Sequence, residues 1–398
     1  MNDLATAATR GIGVDGNCDP RFRRVREVFE EGFRSRDEIG AAVAVTVDGR
    51  PVVDLWGGHA DVARTRPWQR DTIVNVYSTT KGIVAICAMR LADEGELDVD
   101  APVTRYWPEF GQAGKEEVPV RWLLSHRAGL PAVKSPLPGE ALYDWGAMTA
   151  ALAAQEPWWT PGTRHGYHAV TYGWLVGEVI RRIAGKSLGA YLRDEIARPL
   201  GLDLHVGLLD DEHGRCAEMT PIPTEPAPEG RSLADVILAD PQGMSALSFM
   251  NPPSMALGVN NAEWRRAEIP GANGHGSARS IARLYGALAC GGSLDGVRIM
   301  RPEAVVRCHA EQAWGTDAVL QIPTRIGMGF MLSQQGVTGG AFGPGPRAFG
   351  HPGAGGSVGF ADPDARIGFS YVMNRMGPYV LMDPRATALI DAVYDSVS

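Results

Sequence analysis

Ser78-Thr79-Thr80-Lys81 sets a hydroxyl and an amine three residues apart, ahead of a stretch that carries no further charge until Arg90. The apolar run Ile73-Val74-Asn75-Val76-Tyr77 before it reads as a strand, and Gly82 to Leu91 reads as a helix buried on most sides. Residues i and i+3 are neighbours on a helix, so the Ser78 hydroxyl and the Lys81 amine fall within reach of each other. A serine hydroxyl becomes a useful nucleophile when a neighbouring base takes its proton. Lysine acts as that base when its pKa is lowered, and both burial and the positive end of the helix dipole push that way. The bland alternative is an N-capping serine beside a solvated lysine. An almost wholly apolar helix after Lys81 argues for the buried, chemical reading.

Acyl transfer needs a proton both removed and redelivered, so a second titratable group is expected near Ser78. The loop Thr160 to His168 offers Tyr167, with His165 and His168 as neighbouring alternatives; an aromatic that merely anchors the loop is the plain reading of Tyr167. Phe349-Gly350-His351-Pro352-Gly353-Ala354-Gly355-Gly356-Ser357 is rich in small residues, which suits backbone that something approaches closely. Such a strand edge can supply an N–H to an oxyanion, as can the N–H of Ser78, although glycine runs also make flexible turns. His126 reads as a brace at a helix end. No His-x-x-x-His pair with a helical Glu occurs, so no metal site or cofactor is expected. No Gly-x-Ser-x-Gly elbow occurs either, and Ser277 reads as an N-cap.

Around these groups, 398 residues with 44% hydrophobic and 21% charged side chains suit two lobes, or one lobe with a large insertion. A net charge of −8 without any basic run argues against a nucleic-acid partner. The five cysteines are widely spaced and read as reduced thiols of a cytoplasmic protein. Met1 to Thr6 lacks a secretory leader pattern, and no window approaches 18 apolar residues, so no membrane partner is expected. Residues 21–36 read as an amphipathic helix, and 41–47 and 52–55 as a hairpin around Asp48-Gly49-Arg50. Helices are expected at 122–126, 143–155, 172–184, 188–200 and 278–285, and a long irregular loop near a site mouth at 220–255. Strands return at 326–332, 356–361 and 367–374, and a helix closes the chain from Asp383. The expected organisation is an α/β sheet domain from residues 1–105 plus 280–398, with a mostly helical domain and cleft-lining loops over 106–279.

Taken in order, Ser78-Thr79-Thr80-Lys81, Leu123-Leu124-Ser125-His126-Arg127-Ala128-Gly129-Leu130, Pro161-Gly162 ahead of Tyr167, and His351-Pro352-Gly353 resemble the serine β-lactamase-like superfamily. More narrowly the chain looks like the class C β-lactamase-related family VIII carboxylesterases, over roughly residues 20–395. The resemblance implies an α+β fold with a central antiparallel sheet flanked by helices, a helical domain, and the site between them. It makes Ser78 the nucleophile, Lys81 the motif lysine and Tyr167 the catalytic tyrosine. The N–H groups of Ser78 and Ala354 would form the oxyanion hole, with His351 and Gly353 lining the substrate site. Two departures stand out. The Tyr-x-Asn of class C lactamases is here Tyr167-His168-Ala169, and their Lys-Thr-Gly is His351-Pro352-Gly353, which removes the cation that holds a lactam carboxylate.

The expected function is a serine carboxylesterase of neutral, short-chain esters, with a small-molecule ester as partner. It would work through an acyl-enzyme on Ser78, with Tyr167 held at low pKa by Lys81 and protonating the alkoxide. Whether Lys81 or Tyr167 is the base stays open, as does the oligomeric state. The rival readings are a β-lactamase, a D-amino-acid peptidase or amidase, or an acyltransferase, and, from another class, a binding protein without turnover.

Overall fold

Asp48 and Gly49 both adopt positive φ, 50° and 76°. That is the geometry a two-residue hairpin turn demands and an Asp-Gly pair tolerates. The turn joins Gly40–Val47 to Arg50–Gly58 in antiparallel register, with Ala44 opposite Asp54. In this computed structural model, which describes residues 13–223, 227, 232–253 and 258–397, the hairpin lies within a nine-stranded antiparallel sheet. The Met1 to Thr6 segment and parts of the 220–255 stretch lie outside the described residues. From one edge the strands are Val14–Cys18, Arg50–Gly58, Gly40–Val47, Ile367–Met373 and Val358–Asp362, then Phe349–Pro352, Met331–Leu332, Pro323–Ile326 and Ala313–Thr316. All nine come from before residue 59 or after residue 312.

Every residue of Val358–Asp362 and Ile367–Met373 is buried, so both faces of the sheet centre are covered. On one face lies the helix Ala278–Ala289: a Cβ at Gly368 would sit 2.3 Å from Gly286 N, so the helix rests directly on the sheet backbone. The other face meets the closing helix Pro384–Val397, whose Tyr394 hydroxyl donates to Asp362 Oδ2 at 2.6 Å. Phe342, Phe360 and Phe369 stack in series with centroids 5.4 and 5.1 Å apart. Burying each such ring contributes roughly 1.5–3 kcal/mol.

The apolar helix after Lys81 spans Thr79–Asp93 and is buried nearly all round. It packs between the helix Tyr172–Ala184, the strand Phe349–Pro352 and the helix Pro302–Cys308, and so joins the sheet to the helical region. No helix among the described residues is long and apolar enough to cross a membrane.

Local expectations fail in several places. The single strand expected over 326–332 is two, Pro323–Ile326 and Met331–Leu332, which pair antiparallel with Ile326 opposite Met331. The helix expected through His126 covers Val120–Leu124, and His126 turns out of it with φ 59°. The 220–255 stretch contains the helices Leu233–Leu238 and Met244–Met250; Ser232 caps the first by accepting from Asp235 N. Gly274–Gly276, to which the sequence assigned no strand, is the middle strand of a small sheet between Val74–Asn75 and Leu204–Val206. Its glycines carry no strand preference, and strands of two or three residues are too short to alternate; their partners decide the conformation.

Candidate active site

The chain enters the site through strain. Tyr77 has φ 44°, a left-handed conformation costly for a bulky residue, and it swings the chain from the small sheet into the helix Thr79–Asp93. Thr80 Oγ1 accepts from Gly274 N at 2.8 Å and ties the first helical turn to that sheet. Ser78 occupies the N-cap position, yet its side chain makes no capping hydrogen bond, which leaves Oγ available for chemistry.

Lys81 Nζ lies 3.0 Å from Ser78 Oγ and 2.6 Å from each of Ala169 O and Gly271 O. The carbonyls can only accept, so two amine hydrogens point at them. Burial pushes the Lys81 pKa well below the ordinary lysine value of 10.5. With two N–H groups committed to the carbonyls, the remaining position on Nζ faces Ser78 Oγ; the lowered pKa favours a lone pair there that can take the hydroxyl proton. Lys115 provides an internal contrast. It is equally inaccessible, but its Nζ donates to three carbonyls, Gln112 O, Ala153 O and Gln155 O, which use all three hydrogens of an ammonium. Desolvation lowers it only to about 8.

Tyr167 is buried and borders the same small cavity as Ser78, its ring centroid 4.8 Å from Lys81 Nζ. Its backbone N donates to Asp317 Oδ1 at 3.0 Å, and the same oxygen accepts from Val319 N and Leu320 N. Nothing local in the sequence marked Asp317 as the anchor of this loop. Burial pushes the Tyr167 phenol up, opposite to the expected low pKa. The two histidine alternatives are committed elsewhere. His165 Nε2 pairs with Thr324 Oγ1 at 2.8 Å, and His168 bonds Gly166 O through Nδ1 and accepts from Leu130 N at Nε2. His126 braces the same loop: its Nδ1 accepts from His168 N, and its ring lies 5.1 Å from Tyr167.

Opposite Ser78 stands the end of the strand Phe349–Pro352. Gly353 N donates to Ser357 O, Ser357 Oγ donates to Val76 O at 2.8 Å, and Thr79 Oγ1 donates to Ser357 Oγ at 3.3 Å. A Cβ on Gly353 would lie 2.2 Å from Ser357 Oγ and 2.3 Å from Val76 O, so only glycine fits. Neither Ser78 N–H nor Ala354 N–H donates to a protein acceptor among the described residues. A buried Arg385, paired with Glu38 and Asp383, donates to Gly355 O at 2.8 Å and holds this turn from behind; the sequence carried no sign of it.

His351 Nδ1 donates to Pro352 O at 2.6 Å, its Nε2 is buried without a partner among the described residues, and burial lowers its pKa to about 3. The position where class C lactamases carry a lysine is therefore an uncharged imidazole. Arg347 pairs with Asp364 and Arg375 with Asp37, so neither is a loose cation.

Two cavities meet at Ser78. One of about 30 Å³ is bordered by Tyr167, Leu320, Met331, His351 and Tyr379. The other, about 610 Å³, is bordered by Tyr77, Val170, Met219 and Trp264. Ser78, Phe249 and Ala354 border both. Among the described residues no cluster of three His, Cys, Asp or Glu side chains is placed to hold a metal ion.

A Ser-x-x-Lys pair at the head of a buried helix, on a large antiparallel sheet flanked by helices, defines a serine hydrolase of the β-lactamase/DD-peptidase-like fold. The chain belongs to the Beta-lactamase family, whose model matches residues 25–394. It is 38% identical over 377 residues to the Esterase/beta-lactamase LipL of Mycobacterium tuberculosis, across 94% of this chain and 86% of that protein. The crystal structure of a family VIII carboxylesterase aligns with a TM-score of 0.88 and 42% identity, over 97% of this chain and 100% of that one. A penicillin-binding protein homologue from Caulobacter crescentus gives a TM-score of 0.88 and 43% identity, over 96% and 100%. The motif order in the sequence had implied both family and fold.

Proposed function

We propose that this protein is a carboxylesterase that hydrolyses neutral esters through an acyl-enzyme on Ser78. The observation that carries the reading is the uncharged His351 beside an assembled Ser78–Lys81–Tyr167 group. A lactam carboxylate would find no cation there, whereas a neutral ester needs none. The similarity to an esterase/beta-lactamase and to a family VIII carboxylesterase supports the same choice.

Ser78 Oγ attacks the ester carbonyl carbon while its proton passes to Lys81 Nζ. The developing oxyanion accepts from the N–H groups of Ser78 and Ala354; one such donor is typically worth about 2.7–4 kcal/mol. Tyr167 Oη gives its proton to the leaving alkoxide as the C–O bond breaks, and Lys81 returns a proton to Tyr167. Water then adds to the acyl carbonyl, losing its proton to the same pair, and Ser78 leaves with a proton restored. The five free thiols fit a reducing compartment, and we place the enzyme in the cytoplasm.

The test is hydrolysis of methyl butyrate, measured by acid release, and of a chromogenic cephalosporin by the wild type and Ser78→Ala, with mass mapping of a phosphonate adduct. The expected result is ester turnover well above cephalosporin turnover, lost in Ser78→Ala, and one adduct on Ser78. A preference for the cephalosporin, or an adduct elsewhere, would overturn the proposal.

A further inference from the structure

The two cavities differ some twentyfold in volume, and the catalytic groups divide unequally between them. Tyr167 borders the cavity of about 30 Å³ and not the one of about 610 Å³. Tyr167 must lie beside the oxygen it protonates, so the leaving alkoxide points into the small cavity. The carbonyl oxygen is held between the N–H groups of Ser78 and Ala354. One substituent of the tetrahedral centre is then left, the acyl chain, and the large cavity is the space open to it.

We infer that the substrates are esters of a bulky apolar acyl group with a small alcohol, an inference that rests on the esterase reading above. A single water needs about 10–15 Å³ by the same measure, so about 30 Å³ admits a group of methyl or ethyl size. The larger volume lies within the range of sites for whole small molecules, roughly 300–1,000 Å³. Its walls are mainly apolar, with Val170, Met219, Ile222, Phe249, Val259 and Trp264 among them. Its lining includes a carboxylate, Glu218, which accepts from Val62 N at 3.2 Å, and no Lys, Arg or His among the described residues. An acyl chain ending in its own carboxylate would meet repulsion without a counter-ion. The expected short chain thus belongs to the alcohol side.

Methyl octanoate and heptyl acetate are isomers, so they separate the two sides at equal hydrophobicity. The wild-type enzyme should show kcat/KM at least about tenfold higher for methyl octanoate, since rejecting even a few surplus methylenes from a tight pocket is worth that much. Monomethyl suberate, with a terminal carboxylate, should be turned over about tenfold more slowly than methyl octanoate. Ile222→Trp, which narrows the large cavity, should slow methyl octanoate about tenfold more than it slows methyl acetate. Equal rates for the isomers, a preference for heptyl acetate, or indifference to the carboxylate or to Ile222→Trp would overturn the assignment. If methyl butyrate is hydrolysed through Ser78 while the isomers are not distinguished, the cavity assignment fails and the esterase reading survives. If no ester acylates Ser78, both fail together.

Discussion

Lys81 Nζ is joined to Ala169 O at 2.6 Å, and Ala169 is where the resembled class C lactamases carry the asparagine of Tyr-x-Asn. The side chain of that asparagine is missing here, but the backbone of the same position still orients the lysine. Its partner Gly271 O, also at 2.6 Å, comes from a third segment. The amine is therefore clamped from two sides, and its remaining direction is Ser78 Oγ at 3.0 Å.

Lys81 and Tyr167 should behave as one unit. Lys81→Ala and Tyr167→Phe are each expected to lower kcat by roughly 10²–10⁴-fold. The double variant should be little worse than the poorer single, because each group is useless without the other. Steady-state kinetics on one ester decide it. Losses that multiply would mean that the two act independently.

Gly353→Ala should damage the oxyanion hole without touching a catalytic side chain. The added Cβ would collide with Ser357 Oγ at 2.2 Å and Val76 O at 2.3 Å, which must shift the strand end that carries Ala354 N–H. Loss of one oxyanion donor typically costs about 10²–10³ in kcat. Kinetics together with a thermal melt check this; a folded variant whose kcat is unchanged would place the second donor elsewhere.

His351→Lys should shift selectivity towards lactams. A charged hydrogen bond is worth about 1.5–3 kcal/mol, so the ratio of cephalosporin to ester kcat/KM should rise roughly ten- to a hundredfold. Measuring both substrates with both enzymes tests it. An unchanged ratio would show that His351 does not face the substrate carboxylate.

Acid should destabilise the fold from about pH 6.5 downward. Burial holds His168, His275 and His351 at about 3, against 6.5 for an ordinary histidine. Between those limits the unfolded chain binds more protons than the folded one, so unfolding free energy rises with pH. Stability is full above the unfolded value and falls by about 1.4 kcal/mol per pH unit for each histidine below it. Lys81 acts with the same sign in a higher window, below 10.5, and its protonation should also remove activity on the acid side. Urea unfolding at pH 7, 6, 5 and 4 measures the slope; a flat profile would mean that these imidazoles take up protons in the native state. An acid limb of kcat/KM that moves in a His168→Asn variant would assign that limb to histidine.

The features legible in the sequence are those whose physics is complete within a few residues. The i, i+3 spacing of Ser78 and Lys81, the Asp48-Gly49 turn, the Ser277 cap and the uncharged Gly82 to Met89 run each carry their own cause. The four ordered motifs added the family and its fold. Residues whose role depends on distant partners stayed invisible: Asp317 under the Tyr167 loop, Arg385 behind Gly355, and the strand Gly274–Gly276, whose conformation its neighbours impose.

By itself, then, the sequence determined which groups could do chemistry and where the nucleophile and its lysine sit on their helix. Only the tertiary structure decided the charge each group carries. The lowered pKa of Lys81, the raised one of Tyr167 and the uncharged His351 all follow from desolvation, which no single segment can produce. The carbonyls that complete Lys81 lie 88 and 190 residues away along the chain, so its proton affinity exists only once the fold has closed around it.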